Sequence, residues 1–330
     1  MSMINKQNSY CLENYKFDEN IPPSKNRRMQ FAFHLHALRH HWQRSMPSSI
    51  ELERDLRRIR DAGFDGVDVS DSWPFDDFTV ENAHTVRCAA ESLGLRIPTV
   101  SCMGKTLCHP ELAERNARAV EAAFAVAERL GAGIVNLALS IPRTPGVTPV
   151  MGATHSPGGS RGATDADFDQ TAERLRTLAQ RAADCGLSLS IELHDRSLAD
   201  TSASLLRLLN ATGAPNVGAN PDLCNGYRAY DTPPETWREA LSTLAPRMNL
   251  WHVNNLQRVH FPELQRSAFV ERPLSDGDVD YSLALRQVRE AGFDGWVVIE
   301  YKGVGDAFAT LRAGRAYLSA CAADAALETA

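Results

Sequence analysis

The sequence predicts an α/β protein, a single (β/α)8 barrel domain behind an N-terminal arm. Three observations carry this. Eight short apolar stretches alternate with helix-forming segments. A unit of helix end, glycine and strand recurs: Ala62-Gly-Phe-Asp-Gly66 leads into Val67-Asp-Val, and Ala291-Gly-Phe-Asp-Gly295 leads into Trp296-Val-Val-Ile-Glu300. No G-x-G-x-x-G follows the first strand, which disfavours a doubly wound open sheet. The 330 residues, 43% of them hydrophobic, suffice for one such barrel.

Residues 1–29 are polar and end in Pro22-Pro23-Ser24-Lys25-Asn26-Arg27-Arg28. They read either as an arm over the surface or another subunit, or as a tail. The barrel is expected over 30–318, with a short tail at 319–330. Strands are expected at 31–36, 66–70, 96–102, 133–139, 187–194, 216–222, 248–254 and 296–301. Helical periodicity is clearest at 48–62, 111–130, 165–184 and 279–291. In the first of these, Leu52, Leu56 and Ile59 form the apolar stripe, Ser48 or Ser49 the N-cap, and Gly63 the left-handed stop. Two loops are long, 140–164 and 255–276, and are expected to cover or contact a substrate.

Seven scattered cysteines without a C-x-x-C pair read as reduced thiols of a cytoplasmic protein. A net charge of −6 argues against nucleic acid as the partner, and no apolar run is long enough to span a membrane. The expected partner is a small molecule, with the chain assembled as a homo-oligomer or with a second subunit.

The strand ends carry the chemistry. Glu192 and His194 close strand five, Asp222 strand six, His252 and Asn254 strand seven, and Glu300 strand eight. In a barrel these ends converge on one mouth. Any one of them alone reads as a hydrogen-bonded structural residue. Four consecutive strands ending in such groups form a set. Burying three carboxylates together is costly without a cation. Three carboxylates, one imidazole and no thiolate favour Mn²⁺, with Mg²⁺ or Co²⁺ as alternatives, over structural zinc.

His34 and His36 share a face of strand one and read equally as contacts to substrate hydroxyls or as core histidines. Asp68 is expected to orient a basic neighbour or a substrate hydroxyl. Arg258 and His260 sit in the seventh loop, where a substrate contact competes with plain solvation. Trp42 and Trp73 are candidates for stacking on a ring, Trp251 for core packing, and Cys102 and Cys108 for small packing residues.

The barrel pattern, with Ser190-Ile-Glu-Leu-His194, Asn220-Pro-Asp222, Trp251-His-Val-Asn254, Leu274-Ser-Asp-Gly-Asp-Val-Asp280 and Val298-Ile-Glu300, resembles the xylose-isomerase-like sugar isomerase and epimerase superfamily. That superfamily also holds inosose and dehydroshikimate dehydratases, C-glycoside deglycosidase catalytic subunits and endonuclease IV enzymes. The resemblance covers about residues 31–315. It implies a metal-dependent enzyme with Glu192, Asp222, His252 and Glu300 as ligands, and with Glu192 and Glu300 also acting as acid and base. Contacts to a small-molecule sugar or glycoside substrate are expected from His34, His36, Asp68, Asn225, Asn254 and Arg258. Asn225 stands where many relatives carry histidine, and Asp68 where many carry glutamate. The single ligand set and acidic balance argue against DNA repair. A histidine at the position of His194 is found in the dehydratase and C-glycoside-cleaving branches, where it suits β-elimination. Two enzyme readings follow: an isomerase or epimerase, and a lyase. A third is an inactive barrel serving as a binding subunit.

Overall fold

The computed structural model describes residues 29–39, 42, 45–139, 159–228 and 235–327. Most of the expected arm, His40, His41, His155, most of the 140–164 loop and residues 328–330 lie outside them.

Eight parallel strands form one sheet: β1 (Gln30–His34), β2 (Gly66–Ser70), β3 (Arg96–Cys102), β4 (Ile134–Leu137), β5 (Ser188–Glu192), β6 (Val217–Asn220), β7 (Leu250–Val253) and, beyond an inserted hairpin, β10 (Trp296–Ile299). The hairpin is β8 (Asn255–Phe261) and β9 (Arg266–Arg272), paired antiparallel. The sheet runs β6-β5-β4-β3-β2-β1-β10-β7. A parallel bridge from Ala219 to Met248 brings its two ends together. Helices α1 (Ser49–Asp61), α2 (Val80–Ser92), α3 (Ala113–Leu130), α4 (Asp165–Asp184), α5 (Ser202–Thr212), α6 (Trp237–Leu244), α7 (Tyr281–Glu290) and α8 (Ala307–Leu327) lie between or after the strands. This is the expected (β/α)8 barrel.

Local chemistry explains the joints. Ser48 caps α1 through the Glu51 amide, and Glu51 returns the bond in a capping box. Gly63, Gly94, Gly131, Gly186 and Gly292, the glycines of the recurring unit, all take positive φ of 70–87°. That conformation costs a side-chain-bearing residue energy and turns each helix back toward the next strand.

Apolar side chains between the strands and helices form the main core, as where Phe33 stacks 5.3 Å from both Phe64 and Phe308. Inside the barrel Ala32, Leu250 and Val298 form a small apolar floor. The next inward residues up the strands are polar, and they build the site. Trp251 is fully buried, as expected, and so is Cys102; Trp42, Trp73 and Cys108 are buried as well.

Four boundaries differ from expectation. Six of the eight strands stop one or two residues early, so Asp222, Asn254, Glu300 and His194 stand on the turns just past them. His36 lies in a short 3-10 turn after β1, where its amide donates to His34 Nδ1 at 3.1 Å, so the two histidines do not share a strand face. The 255–276 loop is largely the β8–β9 hairpin. The last helix runs on to Leu327, past the boundary expected at 318.

Candidate active site at the barrel mouth

The strands bring His34, Asp68, Glu192, Asp222, Asn225, His252, Asn254 and Glu300 into one buried cluster, each at most 3% exposed. His252 is its centre. Its Nδ1 lies 2.8 Å from Glu300 Oε1 and 3.5 Å from Glu192 Oε2. Its Nε2 faces the other way, 3.6 Å from Asp68 Oδ2. His34 Nε2 bridges Asp68 and Glu300 at 3.4 and 3.2 Å. Asp68 thus lies beside both His34 and His252. Asp222 accepts 2.7 Å from Asn254 Nδ2, while its buried Oδ1 has no hydrogen-bond partner among the described residues.

An amide network holds these groups. Asn136 on β4 donates to Glu192 Oε2 at 2.8 Å, and Asn225 donates to Glu192 Oε1 at 3.2 Å. Asn220 donates to Asn136 Oδ1 at 3.1 Å and accepts from the His252 amide at 2.6 Å. Buried carboxylates and amides keep fixed positions when their hydrogen-bonding capacity is filled by neighbours of this kind.

His194 stands beside this cluster at 7% exposure. Its Nδ1 faces Asp195, 3.1 Å from the carbonyl oxygen and 3.2 Å from Oδ1. The turn is pinned by the His194 amide to Ala199 O at 2.9 Å and by Ser197 Oγ to His194 O at 2.7 Å. With Nδ1 so engaged, proton exchange falls to Nε2.

Two expected contacts lie elsewhere. His36 Nδ1 pairs with Ser72 Oγ at 3.0 Å. Arg258 stands half-exposed on β8, its amide 2.9 Å from Asp278 Oδ2. Three groups at the mouth escaped sequence reasoning: Asn136, Arg228 and Lys302. The Lys302 ammonium sits 2.9 Å from Glu300 Oε2. Its only sequence signal is its spacing, two residues past Glu300.

Burial raises Asp68 to about 8, against the pull of His252 and Ser101. Burial and then the charges of Glu300 and Glu192 raise Asp222. Burial alone would depress His252, but the hydrogen bond and charge of Glu300, with Glu192 and Asp68, raise it to about 9. Burial works against ionising Glu300, yet Lys302, His34 and His252 hold it well below the ordinary range. Burial lowers His194 despite Asp195, keeping its imidazole neutral.

Asp68, Asp222 and His252 all hold protons more tightly when folded than unfolded. Their stabilisation is complete below the unfolded values and is lost as pH rises through the folded ones. His34 and His194, which burial holds below their ordinary value, pull the other way up to about pH 6.5, so chelator-treated protein is expected to melt progressively lower from about pH 6.5 to pH 9. Saturating divalent metal should flatten that slope, because the cation replaces the protons. Melting curves with and without Mn²⁺ check this; parallel slopes in the two conditions would contradict it.

Crowded carboxylates with a partnerless buried oxygen fit a divalent cation. Among the described residues, the one group of three whose ligand atoms all lie within 4.8 Å of one another is His34, Asp68 and His252; Glu192, Asp222 and Glu300 do not close around His252 to that distance. His252 thus has one nitrogen toward each of two donor sets.

The structure is similar to that of a xylose isomerase-like TIM barrel protein from Mycobacterium smegmatis in complex with magnesium: TM-score 0.73, 23% identity, 90% of this chain and 98% of that one covered. It is similar to an L-ribulose 3-epimerase at TM-score 0.70 and 18% identity, covering 92% of this chain and 97% of that one. A probable 3-DHS dehydratase from Bacillus anthracis matches at TM-score 0.64 and 18% identity, covering 88% and 99% of the two chains. No curated protein matches the sequence. The family model for xylose isomerase-like TIM barrels matches residues 56–321, and the chain belongs to that family.

Proposed function

We propose that the protein is a divalent-metal-dependent enzyme that removes a proton next to the carbonyl of a sugar or oxidised sugar, as an isomerase or epimerase does. The observation that carries this is the approach of Glu300 and Glu192 to His252 Nδ1, with Asp222 near enough to feel both carboxylates, at the ends of four neighbouring strands. These four groups would hold the ion, with Mn²⁺ favoured and Mg²⁺ or Co²⁺ as alternatives for so oxygen-rich a set. His252 would ligate through Nδ1, while Asp68 holds its Nε2 side in orientation. A bound ion supplies Lewis-acid stabilisation of the charge that develops on the carbonyl oxygen.

The chain's own groups then move the proton. Glu192 and Glu300 are the acid and base candidates beside the ion. Asn136 and Asn225 aim Glu192, and Lys302 aims Glu300. The fold of epimerases and of a dehydratase is shared by this chain, which fits chemistry next to a carbonyl.

One observation favours a lyase as the second reading. His194 is a buried neutral imidazole, oriented by Asp195, outside the four-group set. Its Nε2 can accept the proton removed next to the carbonyl and then return that proton to a departing group, as dehydration or cleavage of a 3-oxo-C-glycoside requires.

Incubation in D₂O with a ketohexose and with a 3-oxo-C-glycoside, each with and without Mn²⁺, tests both readings. Metal-dependent deuterium entry next to the carbonyl with an epimeric product is the expected result. Release of a free aglycone would transfer the assignment to the lyase. Absence of exchange from every substrate in the presence of Mn²⁺ would overturn both.

A further inference from the structure

Among the described residues other than glycine, two take a positive φ: Gln265 at 47° and Arg196 at 58°. Gln265 turns the exposed tip of the hairpin. Arg196 stands at the barrel mouth, two residues after His194, in a left-handed conformation that favours glycine or asparagine. An arginine kept in such a place points to a task for its side chain.

The contacts show what the conformation achieves. Along extended backbone, neighbouring side chains point to opposite sides. Here those of His194, Asp195 and Arg196 meet. Arg196 Nε donates to Asp195 Oδ2 at 2.6 Å, and Asp195 Oδ1 lies 3.2 Å from His194 Nδ1. The Asp195 side chain is 6% exposed and that of Arg196 18%. A carboxylate so buried needs an opposite charge to keep both its ionised form and its place. The backbone of the turn is pinned independently, by the His194 amide to Ala199 O at 2.9 Å and the Ala199 amide to Ser197 Oγ at 3.0 Å. Removing the guanidinium therefore frees the Asp195 side chain and leaves the turn in place.

We propose that Arg196 is a positioning residue: it clamps the Asp195 carboxylate against His194 Nδ1, and so keeps the His194 ring in the tautomer whose Nε2 exchanges a proton with the substrate. This rests on His194 acting as an acid or base on the substrate. A carboxylate held at Nδ1 keeps the proton there, whereas a swinging one lets it divide between the two nitrogens. Three consecutive residues thus divide the work: the guanidinium sets the carboxylate, and the carboxylate sets the imidazole.

Arg196→Gly, Arg196→Ala and Arg196→Lys test the clamp. Nitrogen spectra of Mg²⁺-loaded protein carrying labelled histidine, at about pH 8 where a histidine of ordinary pKa is neutral, read the His194 ring, which is assigned by its absence from His194→Ala. Wild type and Arg196→Lys are expected to show the Nδ1–H tautomer alone, and the Gly and Ala variants a mixture. Kinetics of Mn²⁺-loaded protein on D-fructose and on a 3-oxo-C-glucoside give the second readout. The Gly and Ala variants should lose about 10-fold in kcat, a typical cost of removing an outer partner of a site residue, with KM and metal content at the wild-type level. Arg196→Lys should retain most of the turnover. Melting curves separate the clamp from backbone strain: Arg196→Gly should melt higher than Arg196→Ala by roughly 1–3 °C, because glycine accepts the left-handed φ, yet the two should be equally slow. The Nδ1–H tautomer alone in every variant, an unchanged kcat in the Gly and Ala variants, or a kcat that follows the melting temperature would overturn the clamp and leave the functional reading standing. Turnover of neither substrate by the wild type would remove the role of His194 and this proposal with it.

Discussion

Replacing His194 by alanine is expected to leave the divalent ion bound and to cut turnover by about 10²- to 10⁴-fold, the usual contribution of a positioned acid or base. The geometry explains the separation of the two effects. His194 stands two residues past the end of β5, outside the set around His252, and faces Asp195 rather than Glu192 through its Nδ1. Burial keeps the ring neutral, and the Asp195 contact leaves Nε2 as the nitrogen that exchanges protons. Asp195→Asn should fall between wild type and His194→Ala, because the amide still contacts the ring but no longer stabilises its protonated form. Metal analysis beside steady-state kinetics checks the pair. Loss of metal in His194→Ala would move this histidine into the ligand set.

Asp222→Asn is expected to have opposite effects on the metal-free and metal-loaded protein. Asparagine keeps the shape and can still accept from Asn254 Nδ2, now 2.7 Å from Asp222 Oδ2. It removes a charge that burial, Glu300 and Glu192 all oppose. The chelated variant should therefore melt higher than chelated wild type. With metal the order should reverse. A ligand present at about 100 times its Kd stabilises the folded state by about 2.7 kcal/mol. In a chain of this size that corresponds to a rise of roughly 5 °C in Tm. The variant, binding at least about 100-fold more weakly, should gain almost none of it. Calorimetric melts of both proteins, with chelator and with Mn²⁺, read all four states. Equal metal-induced shifts in wild type and variant would remove Asp222 from the site.

Much of the barrel was legible because parallel strands buried on both sides read as short apolar runs, and because a glycine stop precedes most of them. The placement of Glu192, Asp222, His252 and Glu300 was legible for a related reason: polar groups that interrupt such runs at their C-terminal ends face the mouth. Asn136 gave no such signal. An asparagine inside a strand acquires meaning only once β4, β5 and β6 are known to be neighbours, because its partners are 56 and 84 residues away. Lys302 and Arg228 lie on turns, where a cation ordinarily reads as solvated.

The hairpin escaped for a different reason. β8 and β9 mix charged and apolar residues, and Gln265 takes the left-handed turn position, at φ 47°, where a glycine would have announced a turn. His194 was placed on the strand with Glu192 because the apolar alternation runs on to Leu193. The strand ends at Glu192, and the His194 amide bonds instead to Ala199 O.

Titration of chelator-treated protein with Mn²⁺, followed by calorimetry for wild type, Asp222→Asn and His34→Ala, tests the four-group metal site most directly. One ion per chain is expected in wild type and His34→Ala, with binding weakened at least about 100-fold in Asp222→Asn. Undiminished binding in Asp222→Asn together with its loss in His34→Ala would place the ion instead among His34, Asp68 and His252, and would contradict the account.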